Sequence, residues 1–211
     1  MGSSIGPQTS HLTLGRVNWL AERLCAYRGV GLDVSSLPLT NSTTDHPWYD
    51  SVTGHWIMPS GTILAKITAT GLYTSIRRGQ VNGNALIGPN ADVIVDDPEA
   101  FAVGGTYTDG VTSFVVLSID YVTKTLTATA GLGAQINDNA EIYDDAILPG
   151  SEGVTGEIVI LTEDVDLGTG LTSIDLDVST INRCKINESA MPYTNVTATM
   201  KIQLGVKVMW L

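Results

Sequence analysis

"GTILAKITATGLY" (Gly61–Tyr73) alternates apolar and polar residues and then halts at a glycine. Ile63, Ala65, Ile67 and Ala69 point one way, and Thr62, Lys66, Thr68 and Thr70 the other, so the stretch predicts a β-strand. Roughly ninety residues on, "GEIVILTEDVDL" (156–167) reads as its partner. The unbroken apolar run Ile158, Val159, Ile160 and Leu161 predicts a strand buried on both faces. Further along, "SIDLDV" alternates again, with Ile174, Leu176 and Val178 inward and Asp175 and Asp177 outward.

The residues between form a second group of strand signals. "SFVVLSID" and "KTLTATA", joined by "YVTK", predict a hairpin, and "AEIYDDAIL" follows the polar turn "NDN". The division expected is an N-terminal arm over 1–56, a core made of 57–80 and 151–211, and an inserted β module over 81–150. Lengthening a loop costs little extra closure entropy, so such an insertion is tolerated.

Composition supports a folded, mainly β chain. Of 211 residues, 43% are hydrophobic, only 6% are aromatic and 16% are charged, and glycine is abundant at 22 residues. Twenty-two acids against 11 bases give a formal charge of −11, with no Lys/Arg run beyond Arg77-Arg78. Binding to nucleic acid by counterion release needs a basic face, so a nucleic-acid partner is not expected. No apolar run approaches a membrane span, and "MGSSIGPQTS" is too polar for a signal peptide, so synthesis in a cytoplasm is expected. Cys25 and Cys184 lie far apart without metal-ligand spacing; they read as buried thiols, with a pairing between the two as the alternative.

Two segments stay ambiguous. "TLGRVNWLAERLCAYRG" places Leu14, Val17, Ala21 and Leu24 at helical spacing, with Thr13 as N-cap and Gly29 just past the end. The irregular segment after it carries Trp48, Tyr49 and Trp56. It reads either as an arm that buries its aromatics against another protein or as a strap across its own core. At the C-terminus, every second residue from Ala198 to Trp210 is apolar, which as one strand would run about 40 Å. The alternative is a helix over 196–204, stopped by Gly205 and followed by the strand "VKVMWL".

No pattern for chemistry emerges. His46 and His55 near Asp45 and Asp50 match no metal spacing, and the acidic groups Glu163, Asp164, Asp166 and Asp96, Asp97, Glu99 fit no calcium loop. There is no GxSxG, and "GLGAQIND" is followed by neither a helix signal nor a lysine. Neither an enzyme nor a cofactor is expected.

"MPSGTILAKITATGLY", "IVILTEDVDL" and "CKINESAMP", in that order, resemble the head decoration proteins of tailed phages, the lambda head decoration family. The matching positions are Pro59, Gly61, Thr62, Leu64, Lys66, Thr68, Gly71 and Tyr73, then Leu161, Glu163, Asp164, Val165 and Asp166, then Ile186, Asn187, Ala190 and Met191. They span under half of the chain. The resemblance implies an α+β variant of a mainly β fold, a small core with short helices, and resolves the C-terminus towards helix, glycine and strand. It further implies a structural virion protein on the outer surface of a phage head, added as a homotrimer at local threefold positions and cementing the major capsid protein. Capsid contact is then expected at Leu14, Val17, Trp19, Leu20, Trp48, Tyr49, Trp56 and Pro59, and subunit contact at Glu163, Asp164, Asp166 and Trp210. The other function considered is a phage-surface or tail module that binds host carbohydrate.

Overall fold

The structure, a computed structural model, describes residues 26–39, 44–88, 90–144, 157–169, 176–186, 191, 198–204 and 208–210. Within these the chain is mainly β, with one short helix. Five strands close a barrel: β1 (Ala26–Leu32), β4 (Ile63–Lys66), β5 (Tyr73–Ser75), β12 (Ile158–Leu161) and β14 (Leu176–Ile186). Their order is β1-β5-β4-β12-β14, and β14 pairs back onto β1. Closure satisfies the backbone groups that an open sheet would leave at its edges. A last strand, β15 (Val208–Trp210), runs parallel to the end of β14.

The strands read in Gly61–Tyr73 and in 156–167 pair directly. Ile63 faces Ile160, Leu64 faces Val159, and Ala65 faces Ile158 in antiparallel register. The first strand is shorter than its alternation suggests, because β4 ends at Lys66 and Thr68, Ala69 and Thr70 sit exposed in a turn. Gly71 closes that turn: its φ is +76°, and its N–H donates to the Ile67 carbonyl at 2.8 Å. A side chain at that φ would be strained, which is why the strand pattern stops at glycine. The chain then returns as β5 against β4, with Leu64 opposite Ser75.

Both faces of β4 and β12 are covered. Leu64, Val159 and Leu161 pack with Val30, Leu32, Leu37, Trp48, Trp56, Met58 and Tyr73. Ile63, Ala65, Ile158 and Ile160 pack with Ile181, Met200 and Leu204. Met200 and Leu204, four apart on the helix α1 (Ala198–Leu204), supply the second cover and leave Ile202 exposed. The helix reading of the C-terminus therefore holds against the bare alternation; Gly205 lies outside the described residues.

The segment 26–56 departs from the expectation of an arm. Ala26–Leu32 is a strand, with Gly29 in mid-ladder opposite Ser179 rather than past a helix end. Gly31 backs onto Leu72, where a Cβ would come within 2.8 Å of that side chain. Val34, Leu37, Leu39, Trp48 and Trp56 follow into the same core. The strap reading is the one the packing adopts, because β12 and β4 are apolar on both faces and the face opposite α1 needs a cover too. Thr13 and residues 14–24 lie outside the described residues.

The remaining six strands come, in sequence, between β5 and β12. They are β6 (Arg78–Gln80), β7 (Asp92–Ile94), β8 (Thr106–Thr108), β9 (Ser113–Asp120), β10 (Thr125–Ala128) and β11 (Glu141–Asp144). They form a half-barrel in the order β6-β11-β8-β9-β10-β7, and Val81 bridges to Val95 between its two ends. Arg78–Gln80 thus pairs with the half-barrel, not with the barrel to which residues 57–80 were assigned. The predicted hairpin is present as β9–β10, with Thr125 opposite Asp120. Val93, Phe101, Tyr107, Phe114, Val116, Leu126, Ile136 and Ile142 fill a separate core.

Candidate functional surface

A third, three-stranded sheet carries Tyr49, Trp56 and Asp166 of the predicted contact residues, with Trp48, Pro59 and Asp164 next to its strand ends. It consists of β2 (Tyr49–Asp50), β3 (His55–Met58) and β13 (Val165–Gly168), in the order β13-β3-β2. Alternation divides β3: Trp56 and Met58 turn into the core, while His55 and Ile57 turn outward. On β13, Leu167 is buried and Asp166 exposed. Residues expected to touch a capsid and residues expected to touch another subunit therefore meet on one sheet.

Two contacts join them. The Ser60 N–H, next to Pro59, donates to Asp164 Oδ1 at 2.7 Å. His55 Nδ1 lies 2.8 Å from Asp166 Oδ2. Slight burial pushes the Asp166 carboxyl up, but the His55 bond and the Gly168 N–H outweigh it and hold it below the ordinary value. Glu163 is exposed, Pro59 half-buried. Both pairs lie in solvent and add little stability; Ser60–Asp164 fixes the turn after β12 against the approach to β4, and His55–Asp166 fixes β3 against β13.

Trp48 and Trp56 are corrected. At 3% and 8% exposure they are core residues of this chain, and Tyr49 packs half-buried beside them. They cannot anchor a partner without leaving the core. Leu14, Val17, Trp19 and Leu20 lie outside the described residues; for Trp210 only its backbone place in β15 is described.

Three features were missed from sequence. The first is a repeated loop, Asp-x-Val-Thr, at Asp50–Thr53, Asp109–Thr112 and Asp120–Thr123. In each the aspartate Oδ1 accepts the valine N–H at 2.9 Å. The valine at each tip stands in solvent, Val52 at 91%, Val111 at 86% and Val122 at 89% exposure. The repeat itself was the available signal.

The second is a pair of arginines tying the sheets together. Arg77 donates from Nη1 to Asp144 Oδ2 at 2.9 Å and from Nη2 to the Ser36 carbonyl of the 3-10 turn Val34–Ser36. Thr74 Oγ1 donates to that same carbonyl at 2.8 Å. Arg78, buried, donates to Glu141 from Nε and to Gln203 of α1 from Nη1. The third is His46, enclosed by the rings of Trp48, Trp56 and Tyr121. The arginines' partners, and Tyr121 beside His46, lie dozens of residues away, so nothing local in the sequence marks them.

Among the described residues no three His, Cys, Asp or Glu side chains converge to hold a metal ion, and no helix is long and apolar enough to cross a membrane. No protein-family model matches the chain, and no curated protein matches it.

Proposed function

We propose that this chain is a structural protein that decorates the outer surface of a tailed-phage head, cements the major capsid protein lattice, and assembles as a trimer. The observation that carries the reading is the ordered set of three segments resembling the lambda head decoration family. Their placement supports it. The strand from the first segment pairs with the strand from the second, the second pairs with β14, and β14 ends at Ile186, inside the third. The Ser60–Asp164 bond links the first segment to the second a second time.

In this reading the barrel is the decoration core, and the half-barrel, from Arg78 to Asp144, is a module inserted into it. Such a protein needs no covalent step; it works by surface buried at many equivalent lattice points. With Trp48 and Trp56 in the core, the outward parts of the small sheet carry the contact. These are the Val52 tip, Ile57, Pro59 and the acidic turn Glu163–Asp166. Residues 1–24 serve as the arm, adding main-chain pairing along the shell.

The carbohydrate reading is weakened by packing. Stacking on a sugar needs an exposed ring face, yet Trp48, Trp56, Phe101, Tyr107 and Phe114 are all buried.

The deciding experiment is co-sedimentation of the full chain with expanded empty heads of its own phage. The expected result is saturable binding at a fixed ratio to the capsid subunit. A chain that stays in the supernatant at every concentration ends the reading.

A further inference from the structure

We propose that His46 is an acid-sensitive latch, which holds the β9–β10 hairpin of the half-barrel against the small sheet while neutral and releases it when protonated. This rests on the packing around one side chain and not on the decoration reading.

His46 has 2% of its surface exposed. The Trp48 N–H donates to Nδ1 at 3.0 Å, so the ring proton of the neutral form sits on Nε2. Nε2 is buried and has no hydrogen-bond partner. Three rings surround the imidazole: Trp48 of its own loop at 5.2 Å between centroids, Trp56 of β3 at 5.5 Å, and Tyr121 of the β9–β10 turn at 4.8 Å. Of these, only Tyr121 belongs to the half-barrel. The imidazole is thus a shared element of a joint between two sheets.

A second proton has no good place there. On Nδ1 it would set one N–H against another and break the bond to Trp48. Tyr121 is the titratable group packed on the ring, and a phenol is neutral throughout the acid range. Asp45, the adjacent carboxylate in sequence, is exposed. Among the described residues no acid is bonded to either ring nitrogen. Attraction of a cation to aromatic faces offsets part of the burial cost. Burial prevails, holding the imidazole down to about 4. As pH falls from 6.5 towards 4 the open form, in which the imidazole takes its proton at the ordinary value, gains on the closed neutral form, and opening parts the Tyr121 turn from the His46 ring.

The test is hydrogen–deuterium exchange of the full chain from pH 7 to 4, corrected for intrinsic rates, in wild type and His46→Phe. Expected in wild type is a loss of protection of about tenfold or more over 46–56 and 119–126 as the pH nears 4, with the β8–β9 ladder still protected. Expected in His46→Phe, which keeps a ring but cannot titrate, is no such loss. Equal loss in both proteins overturns the latch, as does collapse of the β8–β9 ladder at the same pH. Should the variant fail to fold, the imidazole of wild type is titrated by NMR. A midpoint near the ordinary 6.5 overturns the proposal, and one near 4, accompanied by shifts at Tyr121, supports it.

Discussion

Glu99 illustrates how a single side chain can work against the fold. It sits in the 3-10 turn Pro98–Ala100, where burial first and the Asp97 carboxylate second push its carboxyl up to about 7. The ordinary value is 4.5, so the unfolded chain gives up this proton at a pH where the folded chain still holds it. Stability from the neutral carboxyl is complete below 4.5 and is lost as pH rises through 7. Glu99→Gln removes that loss, and is expected to stabilise by about 2 kcal/mol at pH 8 and by almost nothing at pH 4.5. Thermal melts at the two pH values check it, and equal gains at both would refute the argument. Sequence flagged Glu99 only as one of an acidic group. Its burial is a property of the fold, which no neighbour in sequence reveals.

At the scale of elements, strand pairs buried on both faces were legible and their covers were not. The β4–β12 pair could be read because its residues alternate or run apolar, a property of the strand alone. β1 could not, since "CAYRGVGL" also fits the end of a helix and becomes a strand only by pairing with β14. The joint between β5 and β6 shows the same dependence. Arg77 spans from the Ser36 carbonyl to Asp144, whose side chain is 6% exposed. Removing a cation from a buried carboxylate leaves a poorly compensated charge. Arg77→Ala is therefore expected to cost about 3 kcal/mol in urea unfolding, close to the loss from removing one partner of a buried pair. Asp144→Asn in the same background should recover part of that loss, because the buried carboxylate charge that Arg77 balanced is then gone. If the double variant is no more stable than Arg77→Ala, the ion pair is not what holds the joint.

For the whole molecule, the barrel, half-barrel and small sheet place the predicted surface on β3 and β13 and withdraw its tryptophans. That rearrangement sharpens one expectation of the decoration reading. Because β1 begins at Ala26, deletion of residues 1–24 should leave the barrel folded, with a cooperative thermal transition, whereas a cut through Val30 should not. On the decoration reading the shorter protein no longer co-sediments with expanded heads. Full binding by it would remove the arm from the proposal while leaving the sheet surface in place.

By itself the sequence determined the local alternation: the strands β4 and β12, the β9–β10 hairpin and the break at Gly71. Each of these is set by side chains within a few residues of one another, through pleat or turn geometry. Only the tertiary structure decided what covers those strands, with Trp48 and Trp56 inward, Ala26–Leu32 in the barrel, and His46 and Arg77 at the joints. Those outcomes depend on apolar area and charge supplied from distant parts of the chain, and a pattern read along one segment carries no record of them.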